Sequence, residues 1–192
     1  MAETETSFQH IIYTVEDRIA YVTMNRPEKR NALSQELMTE LLRCMDRIAR
    51  NHEVSVVILR GEGPAFSAGH DLSEMVDRKS QFYQTLFDTC TRLMERLQSI
   101  PQPIIAEVHG IATAAGCQLA ASCDLCVASE DARFATPGVK IGLFCTTPMV
   151  ALTRALPPKQ AMEMLLTGEF MDAQEAEHHG LVNRVVPSDK LE

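Results

Sequence analysis

The chain has 192 residues, of which 45% are hydrophobic and 23% are charged. This apolar content suffices for one substantial core, so the sequence predicts a single domain over residues 1–192. Eighteen lysines and arginines against 26 aspartates and glutamates give a formal charge of −8. That balance disfavours a general nucleic-acid-binding surface. Because no apolar run approaches the roughly 18 residues of a membrane span, no membrane partner is expected either.

The amino terminus and the cysteines bear on location. Residues 1–6 are polar and acidic, unlike a signal or transit peptide. Six cysteines are present, and Cys123 and Cys126 form a CxxC motif. No second CxxC or suitably spaced histidine pair follows, so buried thiols are favoured over a metal or redox site. We therefore expect no bound metal and a reducing, cytoplasmic location.

Strand and helix patterns alternate in the first half of the chain. Ser34 is a typical N-cap, and the apolar residues after it repeat at helical spacing. A β-branched run at 54–59 is typical of a strand buried on both faces. The predicted elements are strands at 8–15 and 18–24, a helix at 35–50, a strand at 54–59, a long helix ending near 97 and a buried strand at 104–108.

The second half continues this alternation with shorter elements. They are a small-residue loop at 110–116, an apolar helix at 117–122, a strand at 125–128, helices at 147–156, 159–167 and 173–179, and a strand at 182–186. Strands that alternate with helices across one core predict an α/β fold.

Two small-residue loops carry the functional argument. The first, at 66–72, follows a buried strand, and the second, at 110–117, also leads from a strand into a helix. Helix N-termini expose main-chain N–H groups, and small residues let a ligand approach them closely. Two such loops on adjacent parallel strands could direct two donors to one point, as in an oxyanion hole for a thioester. Packing alone is the alternative explanation for each loop.

Several motifs in a fixed order resemble those of the crotonase (enoyl-CoA hydratase/isomerase) superfamily. They are Asn25-Arg26-Pro27 with Asn31-Ala32-Leu33, Phe66-Ser67-Ala68-Gly69-His70-Asp71-Leu72, residues 103–110 with Ala115-Gly116-Cys117-Gln118, Cys123-Asp124, and Phe134-Ala135-Thr136-Pro137. The similarity runs from about residue 11 to residue 187.

The resemblance implies a spiral of ββα units, acyl-CoA thioester substrates and no separate cofactor. It also implies trimers, often paired into hexamers, in which helices after the last strand take part. This chain stops soon after residue 187, so the C-terminal helical segment is expected to be short or missing.

The same resemblance assigns roles to individual residues. The oxyanion donors would be the main-chain N–H groups of His70 and Ala115. The residues expected to bind CoA and its thioester are Arg30, Ala32, Ala68, His70, Asp71, Leu72, Ala115 and Gly116. Arginine suits phosphate contacts, so Arg30 would meet a CoA phosphate, unless it is only a solvated loop charge.

The chain departs from the superfamily at two catalytic positions. Hydratases of this kind use two glutamates to hold the water that adds to the double bond, and here Gln118 and Gly138 stand at those positions. An amide can orient water but cannot exchange a proton as a carboxylate does. The ordinary hydratase mechanism is therefore doubtful, although an enoyl-CoA hydratase/isomerase-type enzyme remains the main hypothesis.

Two further hypotheses stay open. A Gly-His-Asp sequence resembles that of decarboxylating members, so His70 is a candidate for decarboxylation or thioester hydrolysis. The second hypothesis is a catalytically silent CoA-binding subunit. Cys145 is expected to lie in the wall of the active site, as a polar wall residue or a nucleophile.

Overall fold

The computed structural model describes residues 8–191, so the polar amino terminus at residues 1–6 lies outside the described residues. The elements within this range are β1 (Ile11–Glu16), β2 (Ile19–Met24), α1 (Gln35–Ala49), β3 (Val56–Gly61), α2 (Ser80–Leu97), β4 (Ile104–Val108), β5 (Ile111–Thr113), α3 (Ala115–Ser122), β6 (Leu125–Ser129), β7 (Arg133–Ala135), α4 (Thr146–Ala155), α5 (Pro158–Thr167), β8 (Met171–Asp172), α6 (Ala173–His179) and β9 (Arg184–Val186). A 3₁₀ turn at Ser188–Lys190 follows β9.

The larger of two sheets has the strand order β1-β2-β3-β4-β6-β9. Strand β1 is antiparallel to β2, and every later pair in this sheet is parallel. The expected α/β class is confirmed, and β3 and β4, which precede the two small-residue loops, are direct neighbours with Val57 opposite Ile104. Because parallel strands end at the same sheet edge, both loops emerge side by side.

Helices α1 and α2 pack against each other, and their apolar stripes are buried in the hydrophobic core. The Ser34 hydroxyl accepts the Leu37 N–H at 3.1 Å and caps α1, as the sequence predicted. The expectation that β3 is buried on both faces is wrong. Val57 and Leu59 are fully buried, whereas Val56 and Ile58 on the other face are only half-buried. No helix within residues 8–191 is both long and apolar enough to cross a membrane.

The smaller sheet, with the strand order β5-β7-β8, was not expected from the sequence. Its strands have three, three and two residues, too few to show an alternating pattern. Strand β5 lies inside the segment predicted as a loop at 110–116, and it pairs in parallel with β7. This pairing fixes the backbone that leads into α3.

Candidate active site

The first loop runs between two backbone segments that hold it from opposite sides. On one side, the Ser67 N–H donates to the Ile111 carbonyl at 3.1 Å, and the Thr113 N–H donates to the Ser67 carbonyl at 3.0 Å. On the other side, the Leu33 N–H donates to the Gly69 carbonyl at 2.7 Å, and the Asp71 N–H donates to the Leu33 carbonyl at 3.2 Å. The loop is therefore fixed on both sides of His70.

This pairing sets the direction of the His70 N–H. In an extended segment, neighbouring N–H groups point to opposite edges. The Gly69 carbonyl and the Asp71 N–H both pair with Leu33. The His70 N–H therefore points away from Leu33, towards the segment 111–115. Within residues 8–191 it has no hydrogen-bond acceptor.

The second donor stands at the start of α3. Ala114 precedes this helix with φ 50° and ψ −119°, a strained conformation for a residue with a side chain. Ala115 is the first residue of α3, so its N–H has no acceptor within the helix, and it lies at the positive end of the helix dipole.

Glycines allow the two loops to touch through their main chains. Gly69 has φ +86°, and a Cβ there would lie 2.9 Å from Ala114 Cβ and 3.3 Å from Ala115 N. A Cβ on Gly116 would lie only 2.3 Å from the Ser67 carbonyl oxygen. The structure thus brings the predicted donors His70 and Ala115 onto adjoining segments, and neither N–H has an acceptor among the described residues.

The His70 ring packs edge-on against Phe87, with the ring centroids 5.4 Å apart. Neither ring nitrogen forms a well-aligned hydrogen bond within residues 8–191. Burial lowers the pKa of His70, and the nearby Leu33 backbone opposes that shift only in part. The imidazole is therefore neutral at pH 7, and both of its nitrogens are buried.

Gln118 and Gly138 stand in different surroundings. Gln118 lies one turn into α3 with 5% of its surface exposed, and its Oε1 has no partner within the described residues. Gly138 lies in the 3₁₀ turn Pro137–Ile141, where a Cβ would meet the Leu143 carbonyl and the Cys145 sulfur. Position 138 is therefore closed by its neighbours.

Asp71 has a structural partner that the sequence did not reveal. Its carboxylate pairs with Arg26 at 3.0 Å, and both side chains are largely buried. Burial raises the pKa of Asp71, but hydrogen bonds from Ser73 and the nearby Arg26 outweigh it, so the net pKa is lowered. Arg26 also donates to the Ala32 carbonyl at 2.6 Å, so the pair joins the loop before α1 to the first small-residue loop.

The other residues expected to bind CoA lie near this pair. The Ala68 N–H donates to the Arg30 carbonyl at 2.9 Å, and Ala32 is buried. Arg30 is exposed, and its guanidinium forms no hydrogen bond or ion pair within residues 8–191. Leu72 is 58% exposed.

Asn31 links these loops, a role that the sequence analysis missed. Its side chain accepts the Arg26 N–H at 2.9 Å and donates to the Glu62 and Ala65 carbonyls, both at 2.8 Å. It is fully buried with φ +51°, a conformation that asparagine tolerates better than most residues. An asparagine within a polar turn was the available signal.

Comparison with known proteins decides the family. The family model described as Enoyl-CoA hydratase/isomerase matches residues 14–192. The chain belongs to this family. Its fold is the crotonase fold: it superposes on an enoyl-CoA hydratase from Mycobacterium smegmatis with a TM-score of 0.93 at 48% identity, covering 95% of this chain and 72% of that one. Human enoyl-CoA hydratase domain-containing protein 3 gives a TM-score of 0.92 at 46% identity, covering 95% and 73%.

Curated relatives of this family member extend the comparison. Mouse enoyl-CoA hydratase domain-containing protein 3, mitochondrial, is 49% identical over 178 residues, or 92% of this chain. The chain spans 59% of that relative's length. The 2,3-dehydroadipyl-CoA hydratase of Escherichia coli is 38% identical over 180 residues, covering 93% of this chain and 70% of the relative.

The expected cytoplasmic location is wrong. Five vertebrate relatives at 47–49% identity are named mitochondrial. These names point to mitochondria instead. The expectation rested on free thiols, which distinguish reducing from oxidising compartments but not one reducing compartment from another, and on residues 1–6, which lie outside the described residues.

Proposed function

We propose that this crotonase-family protein binds acyl-CoA thioesters and stabilises negative charge on the thioester oxygen. The main-chain N–H groups of His70 and Ala115 would donate the two hydrogen bonds. The observation that carries this proposal is that neither donor has an acceptor within residues 8–191 and that both lie on loops in main-chain contact. Each donor of this kind contributes roughly 2.7–4 kcal/mol to a transition state.

The CoA moiety would lie along the first loop and the turn before α1. Arg30, whose exposed guanidinium has no partner in the described part of the chain, would meet a phosphate. Ala32 and Ala68 would allow close approach, and the exposed Leu72 would contact the pantetheine chain. Asp71 would act indirectly, since its carboxylate is held by Arg26.

The chemistry that suits this site is formation of a thioester enolate without a separate cofactor. Two main-chain donors supply the stabilisation that an enolate oxygen needs. Hydration by two carboxylates does not fit, because Gln118 carries an amide and Gly138 has no room for a side chain. We expect conventional hydratase activity to be weak, with each absent proton-transfer group lowering the rate by about 10²–10⁴.

The buried, neutral His70 ring favours a second candidate function. A neutral, buried imidazole could orient a carboxylate or activate water beside the thioester. In decarboxylation, the electron pair of the breaking C–C bond would pass to the thioester enolate, and no general base would be needed. Thioester hydrolysis would instead use the imidazole as the base.

Titration calorimetry with acetyl-CoA and with CoA tests the binding proposal. We expect saturable heat with both ligands, and no heat at millimolar ligand would refute the proposal. A turnover screen with crotonyl-, methylmalonyl- and 3-hydroxyacyl-CoA then separates the reactions. Binding without any turnover would identify a silent CoA-binding subunit.

A further inference from the structure

Ser67 lies in the first loop, close before the proposed donor His70, and contacts the segment that leads to the second donor. It is fully buried, and its main chain pairs with Ile111 and Thr113 on the side of the second loop. Its hydroxyl reaches the opposite side and donates to the Asn31 carbonyl at 2.9 Å. Ser67 therefore connects the turn before α1 with the backbone that leads into α3.

The same hydroxyl touches the residue next to each donor. It accepts a long hydrogen bond of 3.4 Å from the N–H of Gly69, which precedes His70. A Cβ on Gly116, which follows Ala115, would lie 2.8 Å from the Ser67 oxygen, so this glycine packs directly against the hydroxyl. One buried oxygen atom thus fills the space between the two donor segments.

Other side chains at position 67 would change the distance between the segments that carry His70 and Ala115. Alanine would remove the hydrogen bond to Asn31 and leave a small void, into which the segments could relax. Cysteine would place a larger atom and a weaker donor in the same space. Hydrogen bonds to a carbonyl depend steeply on distance and angle, so a small displacement of one donor alters carbonyl polarisation.

We propose that Ser67 is a positioning residue whose hydroxyl sets the separation and alignment of the His70 and Ala115 N–H groups. This inference rests on the proposed function, because it concerns how the two donors engage a thioester oxygen. The Ser67 side chain itself does not contact the reacting atoms. Its effect passes through Gly69 and Gly116.

The infrared carbonyl band of bound acetyl-CoA, labelled with ¹³C at the thioester carbon, measures this effect directly. In the wild-type protein we expect the band to shift to lower frequency on binding, because two hydrogen bonds polarise the carbonyl. Ser67→Ala should at least halve this shift while the affinity for CoA without an acyl group stays within about twofold. Ser67→Cys should give a reduced shift as well.

Ser122→Ala is the matched control, since Ser122 is a buried serine at the far end of α3. It should leave the carbonyl shift at its wild-type value, even if it lowers thermal stability as much as Ser67→Ala does. A wild-type shift in both Ser67 variants would overturn the positioning role and leave the proposed function intact. Absence of a shift or of binding in the wild-type protein would refute the proposed function itself.

Discussion

The sulfur of Cys145 occupies space that a side chain on Gly138 would need. A Cβ on Gly138 would lie 2.7 Å from Cys145 Sγ and 2.3 Å from the Leu143 carbonyl oxygen. The thiol can rotate, but the carbonyl can move only with its backbone. Burial raises the pKa of Cys145, with partial opposition from the Gly138 backbone, so the neighbour is a neutral thiol. Position 138 is thus sterically closed to a carboxylate.

Replacement of Gly138 by alanine tests this closure. We expect Gly138→Ala to lower the free energy of unfolding in urea by about 1–3 kcal/mol, the usual cost of overpacking. Gly142→Ala is the matched control: Gly142 has φ +80°, but no atom of residues 8–191 would lie within 4 Å of a Cβ there, so only backbone strain of about 1 kcal/mol should appear. A neutral Gly138→Ala variant would contradict the close contact.

The ion pair between Asp71 and Arg26 should make the free energy of unfolding depend on pH. Because the folded-state pKa of Asp71 is lowered, its contribution is complete above the unfolded pKa of about 3.9 and is lost as the pH falls through the folded value. Asp71→Asn should therefore lower the free energy of unfolding by about 2 kcal/mol at pH 7. The difference from wild type should shrink progressively below about pH 4.

Urea unfolding at several pH values measures this difference. The control is Asp46→Asn, which breaks the more exposed ion pair between Asp46 and Arg96. Exposed pairs contribute at most about 1 kcal/mol, so this variant should stay close to wild type. A pH-independent loss in Asp71→Asn would show that the carboxylate charge is not the stabilising element.

Replacement of Ala114 by glycine should stabilise the protein. Its φ of 50° and ψ of −119° suit glycine, and relief of this strain should exceed the entropy that glycine adds to the unfolded chain. We expect Ala114→Gly to raise the free energy of unfolding by about 1 kcal/mol. Ala121→Gly, inside the helix α3 that Ala114 precedes, should lower it by about 0.5–1 kcal/mol. Equal losses in both variants would contradict strain at Ala114.

The larger elements were predictable because their sequences show long patterns. Ser34 and the apolar stripe after it placed α1 within one residue of its observed end. The strands of the smaller sheet had no such pattern, since two or three residues cannot reveal a period. Whether one or both faces of β3 are buried depends on which elements cover the sheet. A run of β-branched residues predicts a strand but does not indicate what covers its faces.

For the candidate site, the sequence predicted the two loops but not the long-range contacts that hold them. Small residues after strands indicated both loops, and the motif order indicated which N–H groups to choose. The expected helix start is wrong for the first loop, because His70 lies in an extended segment that leads into a 3₁₀ turn at Leu72–Met75. The roles of Arg26, Asn31 and Ser67 depend on contacts across 30 or more residues of chain, for example Asn31 with Ala65 and Arg26 with Asp71. No local pattern encodes such pairings. The closed space at Gly138 likewise depends on a segment folded back from Leu143 and Cys145.

A pair of variants separates main-chain from side-chain chemistry at the candidate oxyanion hole. Ala115 is the first residue of α3, so proline there breaks no hydrogen bond within the helix. Ala115→Pro removes the N–H and should reduce any turnover by at least about a hundredfold, the usual effect of losing one oxyanion donor. Ser80→Pro, at the first position of α2, is the control for inserting proline there and should keep full activity. Circular dichroism must show both variants folded.

His70→Ala keeps the main-chain donor and removes the ring. If only the two N–H groups act, this variant should bind CoA thioesters with nearly wild-type affinity and retain turnover, since the backbone held by Leu33 is unchanged. Loss of turnover with retained CoA affinity would show that the imidazole takes part in the reaction, and the decarboxylase or hydrolase function would then be favoured. Full activity in both His70→Ala and Ala115→Pro would refute the oxyanion assignment, because neither the ring nor the second donor would matter.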